Sequence, residues 1–116
     1  MNHVRAKAVT TYHVIGGKVV SADRNSILIE YKGKTYEAVP VAGAGHEAWL
    51  RAGQKQENQR HYTEVPIETV TGGVITNASY DGLTVMKEDK YYIAVACADW
   101  PSVWMEVYEL EAPMLA

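Results

Sequence analysis

Phenylalanine is absent from the chain, and cysteine occurs once, as Cys97. A single cysteine excludes an internal disulfide framework, and a lone cysteine in a strand-like segment is more often a small buried residue than a nucleophile. No apolar run approaches the roughly 20 residues that a membrane-spanning helix needs. The first residues lack the apolar core of a signal peptide. We therefore expect a cytoplasmic protein that does not enter the membrane.

Patterns that would indicate chemistry are also missing. The four histidines, His3, His13, His46 and His61, do not show the spacing of a metal site, and no serine lies in a nucleophile-elbow sequence. His46 and Glu47 could form an acid–base pair, but adjacent helical residues do not face each other, so solvated surface is the better interpretation. We expect no enzymatic activity, no catalytic residue, no metal and no cofactor.

The chain does contain a repeat. Residues 14–39 match residues 70–95 at a constant offset of 56, with eight identities in 26 positions. Both copies begin with a glycine pair, Gly16-Gly17 and Gly72-Gly73. A phosphate-binding glycine loop would be followed by a helix, whereas strand-forming residues follow here. Glycine pairs in strand patterns mark bulges or bends, so we interpret these pairs as corners of a duplicated sheet.

Each copy also predicts a hairpin. In the first copy, residues 27–31 and 34–39 flank Lys32-Gly33. A two-residue turn there would place Ile29 opposite Tyr36 and Ile27 opposite Ala38, whereas a turn with a glycine bulge would shift this register by one residue. The second copy predicts strands over residues 83–86 and 91–98, and a last strand over residues 103–110. Val103, Met105 and Val107 would point to one face of that last strand, with Trp104, Glu106, Tyr108 and Leu110 on the other.

The two copies are separated by a different kind of segment. His46 to Ala52 could form a short helix ended by Gly53, and Gln54 to Arg60 is polar. We predict one domain over residues 1–116, with a first repeat over about residues 4–45, a connector over 46–61 and a second repeat over about 62–112.

The order glycine, strand, Asp/Asn turn, apolar triplet and hairpin resembles the central meander of SH3-like barrels, including Sm-like ones, over about 28 residues of each copy. Asp23 would be the turn aspartate of the Sm-like family. That family places an asparagine four residues later, where Ile27 stands, so the resemblance implies no RNA-binding residues. Two arrangements fit: two small barrels in tandem, or one mostly β, antiparallel barrel made of two pseudo-symmetric halves. The second is preferred, because a half of about 56 residues buries little surface alone.

Two surfaces are candidates for binding. The first is aromatic and acidic and lies near the C-terminus; Tyr and Trp dominate protein interfaces, although whether Trp100 and Trp104 lie in the core or on the surface stays open. Its residues are Trp100, Trp104, Glu106 and Tyr108. The second candidate is basic and has side chains suited to phosphates and bases. Its residues are Trp49, Arg51, Lys55 and Arg60, and a hydrophilic linker is the competing interpretation.

Charge is divided unevenly along the chain, which hints at an electrostatic partner surface. Residues 1–60 carry nine Lys or Arg and five acids, a net charge of +4, whereas residues 61–116 carry two Lys and nine acids, a net charge of −7. Our leading hypothesis is a non-enzymatic protein that binds another protein, or itself, through the C-terminal aromatic and acidic surface, as an assembly factor or an inhibitor. The alternative is nucleic-acid binding through the basic first half.

Overall fold

The chain folds into ten β-strands joined by tight turns. The computed structural model describes residues 4–55 and 61–111. Single-turn 3-10 helices lie at Thr11–Val14, Gly43–Gly45 and Ile67–Val70. Among the described residues, no helix has the length and apolar character to cross a membrane. The strands are β1 (Val4–Val9), β2 (Lys18–Ala22), β3 (Ile27–Tyr31), β4 (Lys34–Ala42), β5 (Ala48–Lys55), β6 (Tyr62–Val65), β7 (Val74–Ala78), β8 (Gly82–Lys87), β9 (Lys90–Ala98) and β10 (Val103–Glu111).

All ten strands belong to one antiparallel sheet, in the order β1-β10-β4-β3-β2-β7-β8-β9-β5-β6. The prediction of a mostly β, antiparallel fold is confirmed. The predicted barrel is wrong, because a barrel closes only when its first and last strands pair. Here, within residues 4–55 and 61–111, β1 pairs only with β10 and β6 only with β5, so both edges stay open.

The fifth and tenth strands explain this open arrangement. β5 follows β4 along the chain but pairs with β9 and β6, and β10 follows β9 but pairs with β4 and β1. Each half of the sheet therefore takes one strand from the other half of the chain. β5 and β10 therefore connect the two halves of the sheet.

The predicted short helix at His46 to Ala52 is also wrong, since β5 occupies most of this segment. Its sequence alternates with a period of two: Leu50 and Ala52 are buried, while Arg51 is exposed. Gly53 allows the neighbouring strand to lie close, because a Cβ there would lie 2.8 Å from the Cβ of Tyr62. The structure therefore has a strand where the connector was predicted, and part of that connector, residues 56–60, lies outside the described residues.

The glycine pairs lie where the two halves of the sheet meet. The amide of Gly16 donates to the carbonyl of Ile75 over 2.7 Å, and the amide of Gly72 donates to the carbonyl of Val19 over 2.8 Å. These two bonds are related by the same offset as the sequence repeat. Gly16 and Gly72 have φ angles of +94° and +91°, a backbone region that favours glycine. Each pair precedes a β-bulge, one in β2 and one in β7.

The predicted β3–β4 hairpin is confirmed in its register. Ile29 lies opposite Tyr36 and Ile27 lies opposite Ala38. Lys32 and Gly33 form the turn with φ angles of 50° and 77°, as a two-residue type I′ turn requires. The inward residues of both halves form one hydrophobic core. Its fully buried large side chains are Val14, Val19, Ile27, Ile29, Val70, Ile75, Leu83, Val85 and Val107.

Candidate functional site

The outer face of β10 brings three of the predicted partner-binding residues together. Met105 and Val107 are buried, so the alternating residues Trp104, Glu106 and Tyr108 point away from the core. The indole N–H of Trp104 donates to Oε2 of Glu106 over 2.9 Å, and the hydroxyl of Tyr108 donates to Oε1 of the same carboxylate. We call these three side chains the β10 triad.

The hydrogen bonds of the β10 triad also fix its charge. The bond from Tyr108, and then that from Trp104, lower the pKa of Glu106, because both stabilise the carboxylate; partial burial opposes them. The bond to Glu106 raises the pKa of Tyr108, and partial burial adds to this. At neutral pH the triad therefore carries one negative charge between two neutral aromatic groups.

A cation already lies on this surface. The guanidinium of Arg5, on the edge strand β1, is 4.5 Å from the centre of the Tyr108 ring. It also makes an ion pair with Glu37, with 2.8 Å between Nη2 and Oε1. An exposed pair of this kind adds little stability. It does show that the face of Tyr108 accepts a guanidinium in this geometry.

A cavity of about 400 Å³ opens beside the β10 triad. Tyr12 and Tyr80 stand at its rim with exposed fractions of 62% and 66%, and the Tyr80 ring lies 6.3 Å from the Trp104 ring. Neither tyrosine was among the predicted site residues, because both belong to turns distant in sequence from β10. The one feature of the sequence that could have indicated Tyr80 is that an aromatic residue stands in the turn Ser79–Gly82, where polar residues are more usual. The cavity is lined by Ala8, Val9, Thr10, Thr11, Tyr12, Tyr80, Met105, Glu106, Val107 and Tyr108.

The fourth predicted residue, Trp100, lies elsewhere. Its ring stacks on His46 with 4.0 Å between centres and 12° between planes, and 40% of the residue is exposed. A Cβ on Gly43 would lie 3.3 Å from the indole nitrogen of Trp100, so this turn packs closely against the ring. Trp100 is thus a surface residue that contacts the turn after β4, and Trp104 is half-buried on the outer face.

The structure does not bring the residues of the predicted basic surface together in one site. Trp49 and Arg51 lie on the outer face of β5, where the guanidinium of Arg24 lies 5.3 Å from the Trp49 ring. Arg51 makes two hydrogen bonds to Glu64, of 2.8 and 3.0 Å, and these lower the pKa of Glu64. Arg60 lies outside the described residues.

Lys55, the remaining basic residue of that set, lines a cavity of about 750 Å³ on the second half of the sheet. The register places Lys55 opposite Tyr62 on one side and opposite Tyr91 on the other. Both tyrosines are nearly half exposed, at 47% and 46%. Thr84 and Asn77 add hydrogen-bonding groups to the same cavity. Two aromatic rings therefore flank one cation on this face.

Cys97 and the potential metal-binding side chains do not indicate a catalytic or metal site among the described residues. Cys97 is a half-buried free thiol in β9, and burial raises its pKa, so it is mostly protonated at neutral pH. Across residues 4–55 and 61–111, His, Cys, Asp and Glu do not form any group of three or more that could hold a metal ion.

Comparisons of the chain with protein-family models, with curated proteins and with solved structures found no match.

Proposed function

We propose that the protein is a non-enzymatic binding module that takes a protein partner on the β10 triad and the cavity beside it. The observation that carries this proposal is the Glu106 carboxylate, held by Trp104 and Tyr108 at the edge of a cavity of about 400 Å³. Trp and Tyr are the side chains most enriched at the energetic centres of protein interfaces.

The triad is ordered before any partner binds. Two hydrogen bonds to one carboxylate restrict the rotamers of Trp104, Glu106 and Tyr108. Less side-chain entropy would then be lost when a partner binds, since ordering a flexible side chain costs about 0.5–1.5 kcal/mol.

The edges of the sheet are less suited to binding a partner than this face is. β1 carries Arg5 and Lys7 around a bulge, and β6 is four residues long, which are both features that discourage strand addition.

The partner's chemistry follows from the charge of the triad. Glu106 stays ionised, and two tyrosine rings, those of Tyr12 and Tyr80, are open to solvent nearby. Arg5 already stacks on Tyr108. We infer that the partner presents an arginine whose guanidinium meets the carboxylate and stacks on a ring. Arginine-rich grooves of nucleic-acid-binding proteins have this chemistry, so an inhibitor of such a protein fits the proposal.

We also propose that the two halves are copies of one SH3-like unit that have exchanged their last strands. The inter-half hydrogen bonds and the paired bulges recur at an offset of 56, which supports a duplicated unit. The proposed compartment is a reducing cytoplasm, because the chain has a single cysteine.

Selection from a phage-displayed library of random peptides tests the partner chemistry. We expect the enriched peptides to contain arginine next to an apolar residue. Glu106→Gln should weaken a selected peptide about tenfold, because it removes the charge from a charge-assisted hydrogen bond. Tyr80→Ala should weaken it by a similar factor without unfolding the protein, since this side chain is largely exposed.

Tyr91→Ala is the matched control, because Tyr91 is an exposed tyrosine on the other half of the sheet. It should leave the affinity for the peptide unchanged. Enrichment of peptides without a basic residue would contradict the proposal. So would an affinity that stays the same in Glu106→Gln and Tyr80→Ala.

A second function, single-stranded nucleic-acid binding, is favoured by the row Tyr62, Lys55 and Tyr91. Tyr62 and Tyr91 stand on strands separated by β5, roughly 10 Å apart. Aromatic rings that stack bases and a cation that contacts phosphate are the usual elements of such sites.

Fluorescence anisotropy of a labelled oligo-dT at low salt tests this second function. Tyr91→Ala and Lys55→Gln should each weaken binding about tenfold, Tyr80→Ala should not, and added salt should reduce the affinity. Failure of the wild-type protein to bind the oligonucleotide at low salt would rule this function out.

A further inference from the structure

In the half of the sheet that contains β4, a network of hydrogen-bonded side chains joins three segments that are far apart along the chain. Nε2 of His13 lies 3.1 Å from the hydroxyl of Tyr36. That hydroxyl donates to Oε1 of Glu109 over 3.4 Å, and Nζ of Lys34 donates to the same oxygen over 3.1 Å. Tyr36 is 2% exposed, so its ring is fixed in the core while its hydroxyl reaches the surface network.

The fold brings these residues together from a 3-10 turn, a hairpin and the exchanged strand β10. His13 belongs to the turn Thr11–Val14, Lys34 and Tyr36 to β4, and Glu109 to β10. The His13 ring also meets the edge of the Tyr31 ring, with centres 6.2 Å apart and planes at 75°. Sequence patterns gave no indication of this cluster, because its members are far apart along the chain.

The cluster borders a cavity of about 410 Å³ lined by His13, Tyr31, Lys32, Lys34 and Tyr36. The lining contains two lysines and no acid. Nζ of Lys32 lies 5.2 Å from the centre of the Tyr31 ring. Glu109 accepts one hydrogen bond from Lys34, and an ammonium group has three donors, so Lys34 can also donate to a ligand. The cavity thus combines aromatic walls with cationic donors.

The corresponding hairpin of the second half lacks this combination. Both hairpins have two-residue turns with positive φ angles, at Lys32-Gly33 and at Glu88-Asp89. An acid, Glu88, therefore stands where the first half has Lys32. Thr69 corresponds to His13, and its carbonyl accepts a hydrogen bond from Lys87 over 3.0 Å. Lys90 is the counterpart of Lys34 and lines the 750 Å³ cavity instead. The cationic, ring-walled cavity belongs to one half alone among the described residues.

We propose that this cavity binds a phosphate monoester that carries a planar ring. Lys32 and Lys34 would contact the phosphate, and the ring would pack against Tyr31 and His13. Phosphate is favoured over carboxylate because the lining offers lysine point charges and no arginine, the side chain whose planar fork matches a carboxylate. This cavity shares no lining residue with the cavity beside the β10 triad, and the proposal does not depend on the function proposed there.

Titration of ¹⁵N-labelled protein with phenyl phosphate, followed by NMR, tests this site. We expect saturable shifts of the amides of residues 31–36. Adenosine monophosphate should produce shifts of the same residues, because it is also a phosphate monoester with a planar ring. Phenol and inorganic phosphate should each bind at least about tenfold more weakly than phenyl phosphate. Lys32→Asn and Lys34→Gln should each weaken binding about tenfold, since each removes one charge-assisted contact.

Two features make the test decisive. Lys32→Asn keeps a residue that tolerates the positive φ of the turn, and Lys32 lies outside the Glu109 network, so this variant should stay folded. Lys90→Gln is the matched control and should bind phenyl phosphate as the wild type does. The proposal is overturned if phenyl phosphate gives no saturable shift at residues 31–36, if Lys90→Gln weakens binding as much as Lys34→Gln, or if inorganic phosphate binds equally well.

Discussion

Gly17 shows at the scale of one residue why the glycine pair recurs. A Cβ at this position would lie 2.7 Å from Cγ2 of Ile29 and 2.9 Å from the carbonyl oxygen of Val14. Gly73 occupies the corresponding place against Val85 and Val70. Gly17 therefore allows its own turn to pack closely against β3, whereas the neighbouring Gly16 has the positive φ angle and donates its amide to Ile75 in the other half.

Gly17→Ala should destabilise the protein by about 1–3 kcal/mol, the range of an overpacked core, because the backbone on one side and a buried side chain on the other prevent the added methyl group from being accommodated. Urea denaturation measures this change. Gly33→Asn is the control: nothing lies within 4 Å of a Cβ at Gly33, and asparagine tolerates its positive φ, so the change should stay within about 0.5 kcal/mol. An equal stability of Gly17→Ala and wild type would contradict the close approach.

The repetition of the glycine pairs in the sequence predicted a shared structural need but not where it would act. The amide of Gly16 bonds to Ile75 in β7, and the amide of Gly72 bonds to Val19 in β2. A pattern along the sequence does not specify such contacts between distant segments. The same limit applies to the site residues. Trp104, Glu106 and Tyr108 could be placed on one face by their spacing, whereas Tyr12 and Tyr80 could not be placed beside them.

Strand β10 shows how much of the arrangement of a single strand could be predicted from the sequence. Its period of two correctly separates the buried Met105 and Val107 from the outward triad. The β3–β4 register followed from a two-residue turn, which is a local feature. β5 was mistaken for a helix because its partner, β9, lies in the other half of the chain. Ala48, Leu50 and Ala52 are compatible with either element until that partner is present.

The pH dependence of stability should report the hydrogen bonds along β10. The folded pKa of Glu106 is lowered by Tyr108 and then Trp104, so its carboxylate adds stability above the unfolded pKa, and this stability is lost as pH falls through the folded pKa. The difference in unfolding free energy between wild type and Glu106→Gln should therefore be largest near pH 7 and shrink toward pH 3. Urea denaturation at several pH values measures it.

Tyr108→Phe is the companion variant, since it removes the first of the two donors and keeps the ring. It should reduce the same pH-dependent difference in part. A difference between wild type and Glu106→Gln that stays constant from pH 7 to pH 3 would show that the Glu106 carboxylate is not stabilised as the geometry indicates.

The crossing of β5 and β10 to the opposite halves of the sheet organises the whole molecule. It places the acidic last strand beside the basic first half, where Lys34 pairs with Glu109 across 3.1 Å, and it carries Arg51 into the second half. At these contacts, charges of residues 1–60 and 61–116 therefore lie side by side although they are separated along the chain.

The pairing of β5 and β10 with strands of the opposite half also predicts that the two halves unfold together. Leu50 and Met105 are buried, and each comes from one half of the chain and packs in the other half's sheet. Leu50→Ala and Met105→Ala should each cost about 2–5 kcal/mol and lower the temperature of one common transition. Calorimetry measures this. Two resolved transitions, each shifted by only one of the variants, would show instead that the halves are independent.

The proposed binding surface can be tested most directly by NMR. An arginine-containing peptide from the phage-display selection is titrated into ¹⁵N-labelled wild-type protein, and the shifts of the amide signals are mapped onto the sheet. The proposal predicts that the largest saturable shifts surround Tyr12, Tyr80, Glu106 and Tyr108, and that Glu106→Gln needs about ten times more peptide to reach half of the full shift. Shifts centred on Tyr62 and Tyr91, or an affinity unchanged in Glu106→Gln, would contradict a partner site on the β10 triad.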